Sequence, residues 1–306
     1  MHWDRYWSET KRLSSFEEDG NDFGYPNEVM DFWKDQLNIR SDKLIVLDAA
    51  TGKGAIAAYI KAILNSRHIP SIIHGCDLAE IETESLYFPP QLQTLLETIR
   101  FDYGVGLEKL PYHDSYFDLV VSQFGFEYSN WELSIPEINR VLKKEGRLIF
   151  MAHHAKSIVS HNSLVGIEVL SSFIDNDVFL KLNEVISLKL NGEDDAFKEK
   201  NKMLINELNS YVIDSEEKAV WFLDIVNSIS KLMRTIDETS IEKVQILSKS
   251  TVYQIDRLKD QLGVAQDTLS IKQKINKFDG LFKVLDIKEF YIEKTLFSSV
   301  VVLEKA

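Results

Sequence analysis

The sequence predicts an α/β fold, a largely parallel sheet covered by helices, with a large helical insertion before the last strands. Three observations carry this. Between residues 41 and 156, short continuous apolar runs alternate with helical stretches. A glycine-bearing turn joins the first apolar run to its helix. The composition then changes at Ser157 and reverts near Leu281, where β-favouring runs return.

Residues 1–40 form an aromatic N-terminal segment with Trp3, Tyr6, Trp7, Phe16, Phe23, Tyr25, Phe32 and Trp33. After Pro26, the spacing of Val29, Phe32, Trp33 and Leu37 predicts a helix from Asn27 to Leu37. The cluster Trp3, Tyr6, Trp7 suits either a lid over a bound ligand or a pin for the terminus. Leu44 to Leu47 reads as a buried parallel strand and Ala55 to Leu64 as the following helix. Ile72 to Cys76 is the second strand and Phe117 to Val121 another. A helix through Pro136 to Leu142 and the strand Arg147 to Ala152 follow.

From Ser157 to Lys277 there is no proline, and the only glycines are Gly166, Gly192 and Gly263. Val220, Leu223, Val226, Ile229 and Met233 make one helical stripe. Ile241, Val244, Ser248, Thr251, Ile255, Leu258 and Leu262 alternate steps of three and four, as in a helix–helix seam. Residues 157–277 are therefore expected to be a helical insertion that caps an acceptor pocket, forms a homodimer, or both. Strands return at Leu281 to Ile292 and Ser298 to Leu303. The second of these contains the run Ser299-Val300-Val301-Val302-Leu303.

The net charge of −13 disfavours nucleic acid as a substrate, because phosphate neutralisation needs a basic surplus. Cys76 is the one cysteine, so neither an internal disulfide nor a cysteine-based zinc site can be built. The N-terminus lacks the basic start and apolar core of a signal peptide, and no run reaches the ~18 apolar residues of a membrane span. The expected location is the cytoplasm.

The chemistry concentrates in Leu47-Asp48-Ala49-Ala50-Thr51-Gly52-Lys53-Gly54. Glycines here let the backbone approach a ligand, and the helix start offers free N–H groups. Asp77 ends the second strand 29 residues after Asp48, where an acid can accept both ribose hydroxyls. Gly52 to Ala57 also fits the dinucleotide pattern G-x-G-x-x-G/A. Asp48 tilts the choice away from a pyrophosphate, since a carboxylate at that point suits the ammonium end of an amino-acid-bearing cofactor better.

These residues resemble the class I S-adenosylmethionine-dependent methyltransferases. Leu47 to Gly54 is similar to their first motif, LDxGxGxG, and Gly75-Cys76-Asp77-Leu78 to the second. Leu107 to Val120 resembles "AExLPFPDxSFDxV", and Glu137 to Ile149 resembles "ExxRVLKPGGxLxI". The resemblance implies a Rossmann-like, doubly wound, seven-stranded and mostly parallel sheet over 41–156 and 278–306, closed by the C-terminal strand pair. It further implies that Asp48, Ala50, Gly52 and Gly54 hold the methionyl end and that Asp77 holds the ribose. Leu78 would pack on the adenine, the Leu107 backbone would lie at its edge, and Gln123 and Phe124 would line the sulfonium side. S-adenosylmethionine would be the cofactor and S-adenosylhomocysteine the product.

Three departures stand out. Ala50 replaces the leading glycine, a change the loop is expected to absorb. Lys144-Glu145 replaces a Pro-Gly turn. Gly106 stands where many members carry the aspartate that binds the adenine amino group, so that contact is expected from elsewhere, for example a backbone carbonyl.

A hydroxyl or ammonium acceptor needs a base. The candidates are His154, His153 and Glu127, with Tyr128 beside them, all just beyond the fourth and fifth strands. His153, His154 and His161 match no standard metal spacing, so no metal is expected. The leading reading is methyl transfer to oxygen or nitrogen of a small molecule. The alternatives are a non-catalytic cofactor-binding scaffold acting through the insertion, a nicotinamide-dependent oxidoreductase, and a nucleic-acid methyltransferase.

Overall fold

The computed structural model describes residues 2–16, 22–38, 42–81 and 88–306. The boundary expected between residues 40 and 41 lies outside them. The chain divides into two compact units, one of residues 1–159 and 264–306, the other Ser160–Gly263.

In the first unit, helices α1 (His2–Glu9) and α2 (Asn27–Gln36) precede β1 (Leu44–Ala49), α3 (Ala55–Ser66) and β2 (Ser71–Asp77). Then come α4 (Pro90–Glu97), β3 (Arg100–Tyr103), β4 (Phe117–Gln123), α5 (Trp131–Val141) and β5 (Leu142–Ala152). The strands form one seven-stranded sheet in the order β3-β2-β1-β4-β5-β7-β6. Strands β1 to β5 run parallel. The pair β6 (Phe282–Ile292) and β7 (Thr295–Lys305) adds antiparallel, with β7 against β5.

Alternation along each strand builds two apolar layers. Val46, Leu119, Val121, Ile149, Met151, Val300 and Val302 face one side, with α2 and α3. Leu47, Val120, Leu148, Phe150, Val301 and Leu303 face the other, with α5. Burial on both faces is why these strands read as unbroken apolar runs.

In the second unit, α6 (Ile158–Asp175, entering from the first), α7 (Val178–Leu190), α8 (Asp194–Asn209), α9 (Glu216–Arg234) and α10 (Ser240–Val264) surround their own core. That core includes Phe173, Leu182, Ile186, Ile229, Val244, Ile255 and Leu258. The seam on α10 thus turns inward within this unit. The stripe on α9 divides: Ile229 is buried, while Val220 and Leu223 are exposed. The unit ends at Gly263, short of the expected 277. Helix α11 (Thr268–Ile275) belongs to the first unit, where Ile271 and Ile275 join the layer beneath α5. Among the described residues no helix is long and apolar enough to cross a membrane.

Candidate active site

β1 delivers Asp48 to the carboxyl edge of the sheet. Its Oδ2 accepts from Thr51 Oγ1 at 2.6 Å and from the Ala57 N–H at 3.0 Å, in the first turn of α3. Burial pushes this carboxyl up to about 7 against the lowering effect of those bonds, and the Asp77 charge adds to the rise. The turn that follows takes left-handed backbone at Ala50 (φ 56°), Gly52 (φ 54°) and Gly54 (φ 91°). Glycine adopts it freely, whereas Ala50 pays roughly 1–2 kcal/mol for its Cβ. The loop therefore absorbs the alanine with strain. Opposite it, Gly125 leaves room: a Cβ there would come within 2.4 Å of the Ala50 methyl. The Lys144-Glu145 departure behaves alike, with Glu145 at φ 62°.

Asp77 ends β2 beside this loop. Its Oδ2 accepts from the Gly52 N–H at 2.7 Å and its Oδ1 from the Ala79 N–H at 2.9 Å. Burial holds the Asp77 carboxyl above the usual range. Two carboxylates thus bracket the glycine turn, and the Gly52 N–H ties Asp77 to it. Leu78, next in sequence, is 51% exposed, an apolar platform at the strand tip. The Val105 N–H donates to the Asp77 carbonyl at 2.8 Å, which brings Gly106, buried Leu107 and Glu108 alongside.

At the tips of β4 and β5 the candidate bases separate into two groups. Glu127 and His153 meet: Glu127 Oε1 accepts from the His153 backbone N–H at 2.8 Å and lies 2.6 Å from His153 Nδ1. Both side chains are buried. Phe124 packs on the His153 ring at 4.4 Å between centroids, and Tyr128 meets it edge-on at 6.1 Å. His154 points elsewhere. Its Nδ1 accepts from the Lys156 N–H at 3.1 Å and its Nε2 lies 3.6 Å from Glu289 Oε1. Burial lowers its proton affinity despite that carboxylate. Gln123 also turns away, its Oε1 accepting from Trp33 Nε1 at 2.7 Å. Among the described residues there is no group of three or more side chains that could hold a metal ion.

Helix α1 lies over the glycine turn. The Trp7 ring occupies the space in front of Gly52, where a Cβ would come within 2.5 Å of it. The Glu80 N–H donates to Asp4 Oδ1 at 3.1 Å, and Trp3 meets Tyr128 edge-on at 5.5 Å. Buried Lys53 donates to the Thr10 carbonyl and ties down the end of this segment. Sequence reasoning singled out the aromatic cluster but missed Lys53, Trp33 and Tyr25. Tyr25 is buried near Asp48, and burial followed by that negative charge raises its phenol well above its usual range. Its place in the aromatic N-terminal segment was the only available signal.

The buried carboxylate of Asp48, the half-buried one of Asp77 and a glycine turn at the ends of adjacent parallel strands define the class of α/β domain that holds a nucleoside-bearing cofactor. Residues 47–150 match the methyltransferase domain family. Over these residues the chain carries a methyltransferase domain similar to that of the class I S-adenosylmethionine-dependent methyltransferases, whose cofactor is S-adenosylmethionine. It is similar to demethylmenaquinone methyltransferase of Deinococcus radiodurans, 34% identical over 113 residues, 35% of this chain and 42% of that one. It is also similar to malonyl-[acyl-carrier protein] O-methyltransferase of Herminiimonas arsenicoxydans, 29% identical over 123 residues, 40% and 42% of the two chains. In both cases the match spans less than half of the curated relative. A solved SAM-dependent methyltransferase from Aquifex aeolicus aligns over 92% of this chain and 89% of its own, with 11% identity and a TM-score of 0.39.

Proposed function

We propose that this chain transfers a methyl group from S-adenosylmethionine to an oxygen or nitrogen of a small molecule, with His153, held by Glu127, as the base. The observation that carries the proposal is the 2.6 Å contact between Glu127 Oε1 and His153 Nδ1. A carboxylate there draws the Nδ1 proton and leaves Nε2 as the basic nitrogen. Its negative charge would also balance the proton that His153 takes up.

The residues at the glycine turn suit this cofactor. Asp48 offers a carboxylate to an ammonium, Asp77 offers acceptors to ribose hydroxyls, and the room that Gly52 leaves lies under the Trp7 ring of α1. The cofactor supplies a methyl group already activated by a positive sulfur. The chain must then align the acceptor at roughly 3–3.5 Å and accept its proton. In this reading α1 is a cover that keeps water out, supported by Trp7 on Gly52 and Trp3 on Tyr128.

One relative is named for demethylmenaquinone and the other for malonyl-acyl-carrier protein. Acceptors so different leave the choice of acceptor to residues outside the shared domain. The net charge of −13 supports a small molecule over nucleic acid. We extend the proposal to a cytoplasmic homodimer through the helical unit, supported by the exposed apolar side chains Val212, Val220 and Leu223.

The test takes acceptors identified by mass spectrometry of co-purified ligands. His153→Ala and Glu127→Gln should each lower turnover by about 10²–10⁴ while S-adenosylhomocysteine affinity stays within about twofold. Wild-type turnover in both would rule out the pair as the base.

A further inference from the structure

We propose that β6 is a docking edge for a second copy of this chain, the two β6 strands pairing antiparallel about a two-fold axis at Ile287. β6 is the last strand of the sheet, so half of its N–H and C=O groups point away from β7. Among the described residues, Lys283 to Ile292 make no backbone hydrogen bond beyond the ladder with β7. That ladder shifts register between Val284 and Asp286 and again between Phe290 and Tyr291. Such shifts blunt an edge where they fall, and here they leave Asp286 to Phe290 as one regular stretch. The side chains around it are apolar and exposed, with Val284 and Leu285 at one end and Tyr291 at the other.

The charges on that stretch select both the partner and the register. Asp286 and Lys288 share one face of the strand and pair along it at 2.7 Å, with side chains still 41% and 55% exposed. A two-fold axis at Ile287 sets Asp286 of each copy opposite Lys288 of the other. Four charges then stand in an alternating square, and like charges meet only across its diagonals. Moving the axis one residue either way sets Asp286 on Asp286 or Lys288 on Lys288, and like charges directly opposite are destabilising. The same axis brings the Val284–Leu285 end of one strand beside the Phe290–Tyr291 end of the other, apolar against apolar. A contact of this symmetry closes on itself, because each edge covers the other. It uses the α/β unit alone and is independent of the contact through the helical unit.

Multi-angle light scattering of the full chain reads the assembly. Asp286→Lys sets lysine opposite lysine on both sides of the axis and should halve the mass of the wild-type particle. Lys288→Glu sets acid opposite acid and should do the same. The double exchange, Asp286→Lys with Lys288→Asp, reverses the square and should restore the full mass, which a variant merely impaired in folding would not do. Full mass in both single variants would overturn the inference. So would a wild-type particle of one chain, which would leave this edge to a strand of another protein. Assembly lost in Val220→Asp but kept in Asp286→Lys would assign the dimer to the helical unit and overturn the β6 contact alone.

Discussion

Cofactor affinity should depend on pH through Asp48. Its carboxyl is pushed up to about 7 by burial, with the Asp77 charge adding to the rise. Only the ionised form can pair with the cofactor's ammonium group. Below this value the competent fraction falls tenfold per pH unit, and apparent affinity falls with it. From pH 8 to pH 6 the dissociation constant for S-adenosylhomocysteine should therefore rise about tenfold. Calorimetry at pH 6, 7 and 8, in buffers of different ionisation enthalpy, reads both the affinity and the proton released on binding. Asp48→Asn keeps an oxygen for Thr51 and the Ala57 N–H but has no charge to titrate, so it should bind weakly and without this slope. Stability without ligand should move the opposite way. A carboxyl raised in the folded state contributes stability below about pH 4 that is lost as pH rises through about 7. Relative to wild type, Asp48→Asn should therefore gain more melting temperature at pH 8 than at pH 5. A flat affinity profile in wild type, or an equal slope in Asp48→Asn, would refute the reasoning.

Two further outcomes follow from the same geometry. Asp77→Ala removes the acceptor of the Gly52 and Ala79 N–H groups and should weaken S-adenosylhomocysteine binding by roughly 1–3 kcal/mol, measured by calorimetry. Leu258→Ala empties a buried position in the helical unit and should destabilise it by about 2–5 kcal/mol in urea denaturation, without changing cofactor affinity.

Much of the α/β unit was legible because burial on both faces forces apolar runs at β1, β2 and β4, and the β-branched run at Val300 to Val302 marks β7. Strand β3 was not read directly. Arg100-Phe101-Asp102-Tyr103 is a short edge strand, exposed or half-buried throughout, with polar residues at alternate positions. Ile271 and Ile275 have helical spacing in either unit, and only their packing beneath α5 assigns α11 to the first. The α10 seam has the period of a helix–helix interface, and sequence alone does not say whether the partner is the same chain. At the site, the glycine turn and Asp77 were legible as local pattern. His153 and His154 are adjacent and chemically alike, so only the course of the chain past β5 decides which meets Glu127.

The most direct test of the central claim is calorimetric titration of the purified chain with S-adenosylmethionine, S-adenosylhomocysteine and NADH at pH 8. Asp48 ahead of the glycine turn, with Asp77 tied to it through the Gly52 N–H, predicts binding of the first two and little or none of the third. Tight NADH binding with no response to either sulfur compound would contradict the account.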